Sequence, residues 1–358
     1  MLKRDNKYRF ETIFSSDLIC SLLLGCMVGL LAFGCRALSE APPRKSSATV
    51  EMDTSSAMAD KRKKRGTPTV PKYDEEDAPR KMDAGLDRVN PPPRPPANRY
   101  PWLTGEVVDT IARRFSPPEG FGRIRVAKNS FADWLRNLPL LSGKPDVLLF
   151  NGSVKANQNA HEAVVDIDVG RGDLQQCADA VMRLRAEYLR VSGKGDEICF
   201  RFTNGSDAVW RKWRSGYRPK LEGRRVTWQR RAKPGGSYSV FRKYLVKVFQ
   251  YAGTASLEKE MPLVKEGSPI AAGNVFIKGG FPGHAVLVAD VAENDRGERV
   301  FLLLQSYMPA QQMHILKNPQ DKSMSPWYRY VPSADLSTPE WHFERGSLRR
   351  FSNRRCDR

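Results

Sequence analysis

Gly279-Gly280-Phe281-Pro282-Gly283-His284-Ala285-Val286-Leu287-Val288-Ala289-Asp290-Val291-Ala292-Glu293-Asn294-Asp295-Arg296-Gly297-Glu298-Arg299-Val300-Phe301-Leu302-Leu303-Leu304-Gln305-Ser306 is the stretch that decides the fold. Two β-branched and aliphatic runs flank a polar turn with a glycine, the composition of an antiparallel hairpin. Strands are expected over 285–292 and 299–306, with 274–278 ahead of them and 341–343 as a final edge. Pairing Glu293 with Glu298 sets Val286 opposite Gln305 and His284 diagonal to Gln305. In that register His284, Val286, Val288 and Asp290 share a face. A slip of one residue presents Ser306 instead.

Upstream, the apolar period changes from two to about 3.6. Helices are expected over 104–115, over 130–138 with Ser130 and Asp133 as a capping box, and over 237–252. Short strands are expected over 147–150, 163–169 and 197–203. Helices first and antiparallel strands later give the class α+β. No internal repeat is present.

Gly172-Asp173-Leu174-Gln175-Gln176-Cys177-Ala178-Asp179 opens another helix, running to about Arg190. Asp173 reads as its cap and Gln176 as the third helical residue, which puts Cys177 in the first turn. Val181, Leu184 and Tyr188 continue the face of Cys177, so the sulfur points at the core or at a cleft cut into it. A helix N-terminus favours thiolate, and a nearby imidazole lowers the thiol pKa below the free value of about 8.5. The competing readings are a buried structural cysteine and a Cys177–Cys199 disulfide. Asp166 and Asp168 alternate with Val165 and Ile167 and read as a solvent face or a cleft lining. His161, His314 and His342 lack metal-ligand spacing and read as surface or loop residues, so neither metal nor cofactor is expected.

The net charge of +19 favours acidic partners. Part of it lies between Trp210 and Lys233, where cations interleave with aromatic rings. Trp210, Arg211, Trp213, Arg214 and Trp228 are candidates for stacking on sugars and pairing with an anionic envelope polymer. The bland alternative is a solvated basic surface with its tryptophans in the core.

Lys3, Arg4, Lys7 and Arg9 precede an apolar run from Leu18 to Phe33, the plan of an export signal. Gly34-Cys35 resembles a lipoprotein cleavage site, with Cys35 the lipidated residue; an uncleaved anchor or an ordinary cleaved signal are the other options. All three place the mature chain in the cell envelope, attached to a membrane in the first two, and make nucleic acid an unexpected partner. The expected plan is a signal or anchor segment over 1–35, a Pro- and charge-rich linker over 36–99, one globular domain over 100–353 and a tail over 354–358.

Asp173 to Arg185, Tyr251 to Glu258, Gly279 to Ala285, Gln305 to Gln311 and Ser325 to Tyr328 together resemble a bacterial domain family of unknown function found on exported proteins. More distantly, the order of Cys177 at a helix start and Gly283-His284-Ala285 at a strand opening is similar to papain-like and transglutaminase-like cysteine peptidases. That likeness implies a core in which the cysteine-bearing helix packs on an antiparallel sheet. It also implies a catalytic set of Cys177, His284 and, on the next strand, Gln305 where an Asp is usual. The function implied is thiol-dependent amide hydrolysis or acyl transfer on an envelope peptide or protein. The other class is a non-catalytic domain that holds an envelope polymer.

Overall fold

The computed structural model describes residues 99–223, 225–352 and 356. The signal, Cys35 and the linker up to residue 98 lie outside the described residues. From the N-terminus the chain runs α1 (Ile111–Arg114), β1 (Gly122–Arg123), α2 (Phe131–Arg136), β2 (His161–Val164) and α3 (Cys177–Val191). A small pair, β3 (Cys199–Arg201) and β4 (Asp207–Val209), leads to α4 (Trp210–Arg214). A ribbon, β5 (Tyr217–Glu222) and β6 (Arg225–Arg230), leads to α5 (Tyr238–Tyr251) and α6 (Thr254–Glu260). The strands β7 (Val275–Lys278), β8 (His284–Glu293), β9 (Arg299–Gln305) and β10 (His314–Leu316) follow. Last come β11 (Tyr328–Arg329), β12 (Leu336–Ser337), β13 (His342–Phe343) and β14 (Leu348–Arg349).

The result is a mixed α/β fold on an antiparallel sheet in the order β14-β7-β8-β9-β10-β2. Strand β1 extends the far end of β8, and β11 pairs with β9. Both faces of the sheet are covered, which is why β8 and β9 read as nearly continuous apolar runs. On one face, Ala285, Leu287, Leu302 and Leu304 join a core with Val181 and Leu184 of α3 and Phe241 and Leu245 of α5. On the other, Val286, Val288, Phe301 and Leu303 pack with Phe276, Tyr328 and Phe343. Among the described residues no helix is long and apolar enough to cross a membrane.

Local chemistry sets the helix starts. Ser130 accepts the Asp133 N–H at 3.2 Å and Ser237 the Val240 N–H at 3.4 Å. The helix expected over 104–115 shrinks to α1, because Thr110 is extended and caps from within by accepting the Arg113 N–H at 3.3 Å. Residues 147–150 form only isolated bridges. The strand expected over 163–169 sits earlier, at β2.

The hairpin pairs differently at its two ends. Next to the turn, Glu293 faces Arg299 rather than Glu298. Ala289 is then an extra residue on β8: Asp290 faces Leu302, but Val288 faces Leu303 and Leu287 faces Leu304. This bulge restores the expected register at the other end, where the same alignment sets Val286 against Gln305. It also turns Asp290 to the helix-covered face, away from His284. There its fully buried carboxylate accepts from Arg123 at 2.8 Å and Arg136 at 2.6 Å.

Candidate functional site

Helix α3 begins at Cys177 with Gln176 as its cap, so the thiol is at the first helical position. Asp179 accepts the Gln176 N–H at 3.1 Å. Asp173 is not the cap. It lies in the preceding turn, accepting from Gln176 Nε2 at 2.9 Å and from the Ala310 N–H at 2.6 Å. Ser306 Oγ donates to the carbonyls of Gln175, at 3.2 Å, and Gln311, at 2.9 Å. The loop after β9 is thereby stitched to the start of α3.

Cys177 is free, and Cys199 is bonded to Cys356, which removes the Cys177–Cys199 alternative. The N–H groups of Ala178, Ala285 and Cys177 itself face the sulfur. Ala285 directly follows His284, so the helix start sits against the opening of β8. The expected lowering of the thiol pKa is overturned. Burial, together with the Asp179 carboxyl, pushes it up to about 11 against those N–H groups. Desolvation of a thiolate that is 6% exposed outweighs the helix terminus. Asp179 is itself held well above the usual carboxylate range by burial.

His284 opens β8 and is 1% exposed. Gly283 before it has no room for a side chain: a Cβ would stand 2.5 Å from Thr254 Oγ1 and from the Gly280 carbonyl. The imidazole lies among Tyr307, Trp341 and Phe343, with ring centroids 4.7, 5.3 and 5.8 Å away. Its Nε2 is 2.8 Å from Gln305 Oε1. Burial pulls its pKa down to about 4, and the Gln305 bond opposes this in part.

Of the residues singled out in the sequence, the fold pairs His284 with Gln305 and sets the Cys177 sulfur against the N–H of Ala285, the residue after His284. Sequence reasoning missed the residues behind them. Gln305 Nε2 donates to Glu340 Oε2 at 2.8 Å and approaches His314 Nε2 at 3.4 Å. Glu340 is ion-paired with Lys155, which is buried. Glu340 sits in the connection between β12 and β13 and Lys155 in a loop, so no periodicity marks either. His161 and His314 are core residues, 2% and 0% exposed, and not the surface or loop residues expected; His342 is exposed. Asp168 does not line the cleft. It pairs with the buried Arg183 and with Arg242.

The basic stretch divides. Trp210 and Trp213 are buried in the core and present no stacking face. Arg218 lies 4.1 Å over the Trp213 ring and Lys212 lies 6.0 Å over Trp228. Arg211 is exposed, and Arg214 and Trp228 are half-buried. Arg214 joins Tyr217, Arg230, Gly235 and Gly236 in lining an open recess of about 420 Å³ beside the ribbon.

Four of the five resemblance segments meet at or near the thiol. Thr254 Oγ1 donates to the Gly280 carbonyl at 3.1 Å, and the Ala310 and Ser306 bonds tie the remaining two together. No curated protein and no solved structure matches the chain. Residues 111–350, well over half of the chain, match the family described as a domain of unknown function (4846), and they contain every element from α1 to β14. The chain belongs to that family, domain of unknown function 4846.

Proposed function

We propose that this domain is an exported thiol-dependent amide hydrolase or acyl transferase with a papain-like or transglutaminase-like core, acting on a peptide or protein of the cell envelope. The observation that carries the reading is the Ala285 N–H facing the free Cys177 sulfur, next to a histidine held by Gln305. Cys177 attacks a carbonyl carbon and its proton passes to His284. The imidazolium returns that proton to the departing amine, leaving a thioester on Cys177. Water or an acceptor amine then displaces the sulfur, which recovers its proton through His284.

With the thiol at about 11 and the imidazole at about 4, the resting pair is neutral. Thiolate is then roughly one part in ten thousand at pH 7. Attack therefore needs proton transfer in the same step, and His284 is already the free base at neutral pH. The Gln176 N–H is occupied by Leu174 and Asp179, so the Cys177 N–H at the helix start is the better candidate for holding the oxyanion. The Cys199–Cys356 disulfide supports an oxidising compartment outside the cytoplasm. Attachment through an N-terminal anchor or a lipid on Cys35 completes the proposal.

The test is acylation by p-nitrophenyl acetate, read by peptide mass mapping. A thioester on Cys177, absent in Cys177→Ala and strongly reduced in His284→Asn, is expected. Label elsewhere, or equal label in His284→Asn, sinks the reading. A second reading, a module binding an acidic envelope polymer, is favoured by the recess shared by Arg214, Tyr217 and Arg230. It predicts salt-sensitive retention on a polyuronate resin that Arg230→Glu abolishes.

A further inference from the structure

The hydrogen bonds behind His284 leave one consistent arrangement of protons. Glu340, with Lys155 on its other oxygen, offers only acceptors. The Gln305 atom 2.8 Å from Glu340 Oε2 must therefore be the amide nitrogen, since a carbonyl there would set oxygen against oxygen. His314 demands the same. Its Nδ1 is 2.9 Å from the Gln312 carbonyl, so it donates there, and its Nε2 is a bare acceptor facing Gln305 Nε2 at 3.4 Å. With both amide hydrogens directed to that side, Gln305 Oε1 is turned to His284. An oxygen 2.8 Å from His284 Nε2 can only accept, so Nε2 carries the ring proton and Nδ1 keeps its lone pair. Tyr307, Trp341 and Phe343 hold the ring against rotation.

We infer that Glu340, anchored by Lys155, is a positioning residue: through the Gln305 amide it dictates which nitrogen of His284 carries the proton and which is left as base. The catalytic consequence rests on the reading of Cys177 as a nucleophile; the tautomer itself does not. Without an acceptor-only group at this position the Gln305 amide can turn over, present its N–H₂ to His284, and move the ring proton to Nδ1. The nitrogen that is basic in the native arrangement would then be blocked. Lys155 holds one oxygen of Glu340 in an ion pair, and Asn157 Nδ2 donates to the same oxygen at 3.3 Å.

The test reads the tautomer by side-chain nitrogen NMR on the full chain. The protein has four histidines, so the spectrum is simple, and loss of one signal in His284→Asn assigns it. In the native protein His284 is expected as the Nε2–H form and His314 as the Nδ1–H form. In Glu340→Gln, whose amide can donate or accept, the His284 ratio should fall from at least about ten to one toward parity, the scale of one charge-assisted bond. Glu340→Asp, still acceptor-only, should restore the preference. Lys155→Met/Glu340→Gln removes the buried amine that Glu340→Gln strands and should show the same loss. A native His284 protonated on Nδ1, or a ratio that none of these variants moves, overturns the inference. If the tautomer follows Glu340 while Cys177 never acylates, the positioning role stands and the catalytic reading falls. If Cys177 acylates while the tautomer ignores Glu340, the reverse holds.

Discussion

Asp173 accepts the backbone N–H of Ala310 at 2.6 Å, binding the turn before Cys177 to the loop after Gln305. Because Asp173 is exposed, the bond contributes more to placement than to stability. Asp173→Ala should cost about 1 kcal/mol, or roughly 2–4 °C in Tm for a domain of this size. It should also loosen the cover over Cys177 and raise its alkylation rate severalfold. A native-like melt together with a native-like alkylation rate would show that the tether does not govern access.

Alkylation of Cys177 by iodoacetamide should be slow at neutral pH. Thiolate is the reactive form, and burial pushes the thiol up to about 11. The rate should climb about tenfold per pH unit from 7 to about 10. His284→Asn should leave that profile nearly in place, since a neutral imidazole contributes no positive charge, while acylation falls. A rate plateau below pH 8 would point instead to a preformed thiolate–imidazolium pair.

Acid should weaken the fold through His284 and His314. Both are held neutral, at about 4 and about 3, against about 6.5 in the unfolded chain. Neutral histidine in the folded state gives stability that is present above pH 6.5 and lost as pH falls through the folded values. At His284 this is worth roughly 3 kcal/mol between pH 6.5 and 4. Urea midpoints at pH 7, 5.5 and 4 should therefore converge for the native protein and His284→Asn. Parallel curves would contradict the burial of the ring.

Asp290 is buried with Arg123 and Arg136 as its partners. Asp290→Ala leaves both guanidinium groups without their carboxylate in a largely dry setting. A loss of about 3–5 kcal/mol in chemical denaturation is expected. A loss under 1 kcal/mol would mean that water replaces the carboxylate.

The hairpin and the helices α3 and α5 were legible because long elements repeat their apolar period several times. Ser130 was legible as a cap because a hydroxyl just ahead of an apolar period has one common use. The helix over 104–115 failed for the same kind of reason, since its period was carried by few residues. Val107 is buried and Val108 is 69% exposed, and Thr110 caps a single turn. The ribbon β5–β6 was hidden under a composition dominated by charge. The His284–Gln305 contact was legible from register, and Cys177 in the first turn of a helix from the local pattern. Glu340, Lys155 and His314 were not, because they converge only through tertiary packing. The direction of the Cys177 pKa was misread because a sequence shows a helix terminus but not the depth of burial around it.

The extra residue Ala289 separates two tasks in one hairpin. The turn can set its own alignment, Glu293 against Arg299, without dictating how Gln305 meets His284. Natural variation in turn length can thus be absorbed between the turn and the bulge, with the imidazole and its amide left in step. Relatives with longer or shorter connections over 294–298 are expected to keep a bulge on β8, and those without one to carry a different residue in place of Gln305.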